Sequence, residues 1–201
     1  MIGFRHVDPR FPFLRKTGVQ PPARWHGAGK GPVHYLAETP DGAWAEFLRH
    51  EGIADPADLA GVVGSLWAVE SPHLSWARPA LLIAELTGDA ATYPACQIEA
   101  RRLRLRRVRG LVAPSAALQP GTAGGLRTDG GLRPARPRPE RVVVLFGPRP
   151  DLVGWAACAE GRPRADLLTR VRPLREPRTQ RAARLATAVT RRVGPLGAAW
   201  L

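Results

Sequence analysis

Arg24, Tyr35 and Glu46 follow one another at intervals of eleven residues, and a Pro114-Ser115-Ala116 run stands ahead of a strongly apolar segment at 141–147. An arginine is a planar, permanently charged donor that can grip two oxygens at once. A tyrosine offers an aromatic face with a hydroxyl handle. A carboxylate stabilises positive charge that develops beside it, and a serine donates a hydrogen bond or fixes local backbone. Each residue also has an ordinary explanation. Arg24 beside Trp25 reads as a surface charge on a ring, and Tyr35 as a core tyrosine. Glu46 reads as a solvated carboxylate or an i,i+3 partner of Arg49, and Ser115 as a turn residue after proline. The set carries more than its members.

Other chemistries lack their residues. No GxxxxGK[ST], GxSxG or HExxH motif occurs. The five histidines (His6, His26, His34, His50, His73) have no metal-ligand spacing, so no metal is expected. Cys96 and Cys158 make neither a disulfide scaffold nor a cysteine zinc site. No apolar run approaches the ~20 residues of a membrane helix, and the N-terminus, MIGFRHVDPRFPFLRK, is too charged and proline-broken for a signal peptide. The expectation is a soluble, cytoplasmic protein without a membrane partner.

The elements that must hold these residues follow from pattern. Residues 1–7 suit a short strand and 33–37 another. The segment 39–52 is a helix: Thr39 or Asp41 can cap it, Pro40 suits its first turn, Gly52 can end it, and Ala43, Trp44, Phe47 and Leu48 form its apolar stripe. A short helix is expected at 55–61, strands at 62–69 and 80–86, and a helix over 91–109. Residues 110–118 read as strand or loop, 119–140 as a mobile Gly/Pro/Arg-rich loop, and 141–147 as a buried strand. Segments 152–160 and 165–173 can each be strand or short helix, and 178–194 a basic helix. The result is an α+β fold, a mixed sheet with flanking helices over about 1–160, and a basic, partly helical extension over 161–201.

The net charge of +13 is uneven: residues 1–100 hold 8 Lys+Arg against 11 Asp+Glu, and the remainder 22 against 6. Only Lys16 and Lys30 are lysines. Part of the Arg101–Arg109 cluster is favourable at a helix C-terminus without any ligand. The rest is a solvated basic face or one that meets an acidic partner.

In their order, ARWHGAGKGPVHYLAETPDGAWAEFLRH, GLVAPSAAL and ERVVVLFG make the chain resemble the RES domain, named for its Arg, Glu and Ser. FRH at 4–6 and CQIEARRLR fit as well. The resemblance covers roughly residues 2–147 and leaves the 119–140 insertion and the Arg-rich tail unexplained. It implies an ADP-ribosyltransferase-like fold, NAD as substrate, and a toxin neutralised by an antitoxin that commonly carries a helix-turn-helix domain. Breaking the nicotinamide–ribose bond leaves positive charge on the ribose, as in glycoside hydrolysis. The resemblance thus implies Glu46 as the carboxylate facing that charge and Arg24 as the pyrophosphate donor. It implies Tyr35 as the aromatic face, and Ser115 as a donor to ribose or phosphate or a fixer of site backbone. His26 is a further candidate to touch the nucleotide, and Arg5 another for the phosphates. The acceptor of ADP-ribose is open among phosphate, water and a protein. From a different class, the arginines of 101–109 and 178–194 suit a nucleic-acid-binding module whose affinity would fall steeply with salt, although only two tyrosines and no reading motif accompany them.

Overall fold

A computed structural model describes residues 1–14, 20–71 and 75–174. Eight strands and three α-helices are present among them: β1 (Ile2–Val7), β2 (Val33–Ala37), α1 (Pro40–Glu51), β3 (Gly64–Glu70), α2 (Ile83–Thr87), α3 (Tyr93–Leu105), β4 (Gly110–Pro114), β5 (Leu126–Thr128), β6 (Leu132–Pro134), β7 (Arg141–Phe146) and β8 (Val153–Gly161). Short 3-10 turns occupy Pro56–Gly61, Ala90–Thr92 and Ala165–Arg170. The main sheet runs β4-β7-β2-β1-β3-β8, and each of its ladders is antiparallel. The α+β class stands as expected, but the strands of this sheet do not mix directions.

The register decides which side chains share a face. Phe4 pairs with Ala37, and Tyr35 with Val144. Strand alternation then puts Val33, Tyr35, Ala37 and Phe4 on one face, and His34, Leu36 and Arg5 on the other. The first face packs Val33, Val142, Val144 and Phe146 against Cys96, Ala100 and Leu103 of α3. The far face gathers Leu36, Val69, Val143 and Leu145 with Leu152.

α1 forms where its caps require. Thr39 accepts the Gly42 N–H at 3.0 Å, Pro40 opens the first turn, and Gly52 closes the helix in the left-handed region (φ 68°). Its Ala45 and Leu48 are fully buried with Ala117, Leu118 and Leu167. Leu167 belongs to the 3-10 turn at 165–170, whose Arg170 bonds Asp41 at 2.9 Å near the start of α1.

Two segments differ from expectation. Residues 80–86 do not form a strand; the chain is irregular to Leu82 and then enters α2, where the Glu85 carboxylate accepts the Leu82 N–H at 2.9 Å. Leu82 and Ile83 are exposed while Leu86 is buried. An apolar run this short does not separate strand from helix by itself. The expected loop 119–140 contains the β5–β6 hairpin, turned by Asp129-Gly130-Gly131 with both glycines at positive φ, and Ala123 inside it is buried. The candidate helix 178–194 lies outside the described residues. No helix among the described residues is long and apolar enough to cross a membrane.

Candidate functional site

A cavity opens where α1 crosses the sheet, and Arg24, Trp25, Tyr35, Glu46, Arg49 and Tyr93 line it. Glu46 projects from the middle of α1 with its side chain about one-third exposed. Ser115 follows β4 and is buried; its Oγ donates to Glu46 Oε1 at 3.2 Å and accepts the Ala117 N–H at 3.0 Å. His50, one turn on, places Nε2 3.8 Å from Glu46 Oε2. Arg49 is not the ion-pair partner that its i+3 position offered.

Arg24 is buried, and its guanidinium is largely engaged. Nη1 donates to Glu85 O at 3.1 Å and to Thr92 Oγ1 at 2.9 Å, Nη2 donates to Gly88 O at 2.6 Å, and the group lies 4.8 Å from the Tyr93 ring centroid. Arg49 reaches the same place from α1: Nη2 donates to Gly88 O at 2.8 Å and Nη1 to Ala116 O, while its buried Nε has no partner. Burial lowers the Arg49 pKa, and the nearby Glu46 carboxylate opposes that shift. Two guanidiniums and one carboxylate thus share one wall, an arrangement suited to an anionic ligand.

Tyr35 and His26 order the turn that carries Arg24. His26 Nε2 sits 2.7 Å from Pro21 O, which can only accept, so this nitrogen carries the proton. Nδ1, 3.0 Å from Tyr35 Oη, is then the acceptor, and the Tyr35 hydroxyl donates to it while accepting the Trp25 N–H at 3.1 Å. Burial lowers the pKa of His26 and raises that of Tyr35. Tyr35 therefore shows the cavity its ring, and both nitrogens of His26 are engaged within the protein. Tyr35→Phe leaves the Trp25 N–H and His26 Nδ1 without a partner; we expect chemical denaturation to show a loss of about 2 kcal/mol. Ser115→Ala frees the Glu46 carboxylate and exposes a buried N–H at residue 117. A loss of about 1 kcal/mol is expected in the same assay.

Sequence reasoning placed Arg24, Tyr35, His26, Glu46 and Ser115 together, and all five meet at this cavity. Arg5, buried and paired in register with Trp67 of β3, also borders this cavity from β1. The Arg101–Arg109 cluster is also divided: Arg102 pairs with Glu99 at 2.7 Å, and Arg104 donates to Lys30 O and lies over Phe146. No group of three potential metal ligands occurs among the described residues.

Arg49 and Glu140 escaped the sequence reading. The buried Glu140 carboxylate accepts the N–H of Glu38 at 2.8 Å, the N–H of Thr39 at 3.0 Å and the Thr39 hydroxyl at 2.7 Å. Its backbone carbonyl accepts the Ser115 N–H at 2.9 Å. A Cβ on Gly42 would collide with this carboxylate, so the first turn of α1 is packed directly on it. Glu140 thereby ties the helix of Glu46 to the segment of Ser115. Burial raises its pKa to about 7. Its partners lie about a hundred residues away, and only the hydrophobic run after it hinted at a special position.

The comparisons agree with this geometry. No curated protein matches the sequence. A chain of the crystal structure of the M. tuberculosis MbcT–MbcA toxin–antitoxin complex shares the fold, with TM-score 0.52 at 13% identity over 84% of this chain and 86% of that one. A sequence profile of the RES domain matches residues 4–153. This span contains all five residues that meet at the cavity, and the chain belongs to the RES domain family.

Proposed function

We propose that this protein is a RES-type toxin that cleaves the nicotinamide–ribose bond of NAD and is held inactive by a cognate antitoxin. The observation that carries the reading is the Glu46–Ser115 pair, at 3.2 Å, on the wall of a cavity that also holds the Arg24 and Arg49 guanidiniums. As nicotinamide leaves, its bonding electrons neutralise the pyridinium and the ribose takes up positive charge. The Glu46 carboxylate, oriented by Ser115, stabilises that charge. The two guanidiniums supply a positive field for the pyrophosphate. The Tyr35 and Tyr93 rings offer apolar faces to the base. Water or phosphate then completes the bond at the anomeric carbon, giving ADP-ribose or its phosphate ester; a protein nucleophile in the same place would make the reaction an ADP-ribosyl transfer.

The antitoxin reading draws on the toxin–antitoxin assembly of the structural neighbour. A partner seated over the cavity mouth suffices for inhibition, whether or not it carries a helix-turn-helix domain. The purified protein, incubated with NAD in buffer alone, with phosphate, and with a protein extract, is expected to release nicotinamide in at least one mixture. Chromatography showing intact NAD in all three would refute the reading.

A further inference from the structure

The two edges of the main sheet are finished differently. At one edge β4 is covered: Ala77 bridges Leu111, its N–H donates to Gly110 O at 3.2 Å, and its carbonyl accepts the Val112 N–H at 2.9 Å. At the other edge lies β8, nine residues long. Beyond its ladder with β3, no backbone group of Val153–Gly161 bonds another described residue. An open edge is a template for a further strand, and proteins ordinarily blunt it with lysine, proline, an inward charge or a bulge. The sequence of β8, VGWAACAEG, has no lysine or proline, and its one charge is Glu160. The ladder is bulged only beyond Ala156, so Val153–Ala156 stays regular.

This strand is apolar where it meets water. Val153 is 50% exposed and Trp155 49%. The ladders align Ile2, Glu70 and Val153 in one row, and Phe4, Ala68 and Trp155 in the next. Val153 and Trp155 therefore extend the face that carries the half-exposed Ile2. A half-exposed tryptophan on an open edge marks a contact surface.

The charges at its two ends choose the occupant. Asp151 precedes β8, and the exposed Arg162 and Arg164 follow it. Antiparallel pairing of β8 with its own copy, about a two-fold axis at Ala157, overlaps the strands along their whole length. It brings the Asp151 end of each copy to the Arg162–Arg164 end of the other, whereas parallel pairing would set like ends together.

We propose that β8 is a dimerisation edge, at which two copies of this chain join antiparallel through Val153–Gly161 with both Trp155 side chains buried at the seam. The two six-stranded sheets then run on as one. The axis stands perpendicular to the sheet, so both cavities lie on the same side of it. The inference stands independently of what the cavity binds.

Sedimentation velocity of the full chain over a concentration series tests it. The parent is expected to pass reversibly from 21.8 kDa to twice that mass as concentration rises. Trp155→Lys puts a charge at the seam on a half-exposed side chain. It is expected to stay folded by circular dichroism and to raise the dimer dissociation constant about 30-fold or more. Leu105→Lys, which puts the same charge on the exposed end of α3, is expected to dimerise like the parent. Should Trp155→Lys not fold, hydrogen exchange on the parent decides, the amides of 153–161 exchanging more slowly in the dimer than in the monomer. A parent that stays monomeric at its highest soluble concentration would overturn the proposal. So would a Trp155→Lys protein that dimerises like the parent, a folded Leu105→Lys protein that does not dimerise, or β8 exchange that is unchanged by concentration.

Discussion

Glu46→Gln is expected to leave a folded protein that takes up NAD yet releases nicotinamide about 100- to 1000-fold more slowly. The amide has nearly the shape of the carboxylate and can still accept from Ser115 Oγ, now 3.2 Å from Oε1. What disappears is the negative charge. The ribose is positive only as the bond to nicotinamide breaks, so the charge acts on the transition state and the loss falls on kcat, with KM little changed. Because the side chain is about one-third exposed, stability should stay within about 0.5 kcal/mol of the parent. The two quantities come from steady-state kinetics and denaturant unfolding on the same preparation. A variant that turned over NAD at the parental rate would remove Glu46 from the chemistry.

Glu140→Ala is expected to cost about 3 kcal/mol at pH 5, since it strips the acceptor from two backbone N–H groups and a buried hydroxyl at the start of α1. The pH dependence gives a finer test. Burial raises this carboxyl from an ordinary 4.5 to about 7, so between these values the folded protein holds a proton that the unfolded chain releases. The contribution of that proton to stability is full below about 4.5 and is lost as pH rises through about 7. Glu140→Gln, which does not titrate, should therefore be flatter across this window, and its deficit relative to the parent should shrink as pH rises. Because Glu140 also holds Ser115 through its carbonyl, loosening of this corner should disturb the Glu46–Ser115 contact. Identical pH–stability curves for the parent and Glu140→Gln would show that the buried carboxyl does not titrate as described.

How far the sequence spoke for itself depended on whether the signal was local. Thr39, Pro40 and Gly52 punctuate α1 so plainly that its limits are legible within a residue. β2 and β7 are short apolar runs, largely β-branched in β7, bounded by glycine, proline or charge, and they stand where expected. The run at 80–86 misled because its pattern serves either a strand or an amphipathic turn, and Glu85 settles it by binding the Leu82 N–H. The strand of Arg5 was legible, but a one-residue change of parity moves a side chain across a sheet, and only the Phe4–Ala37 pairing fixes that parity. Arg49 and Glu140 were silent because their partners, Ala116 and Thr39, lie far off in the chain. The family pattern gathered Arg24, Tyr35, Glu46 and Ser115, but gave Arg24 and Tyr35 to the ligand alone. Much of their polar capacity holds the turn and the α2–α3 connection in place.

The most direct measurement is a crystal structure of the Glu46→Gln protein soaked with NAD. The nicotinamide-bearing ribose is expected inside the cavity, its anomeric carbon facing the side chain of residue 46, with Ser115 still bonded there and the pyrophosphate toward Arg24 and Arg49. A dinucleotide seated elsewhere on the molecule, or turned so that this ribose lies away from residue 46, would contradict it.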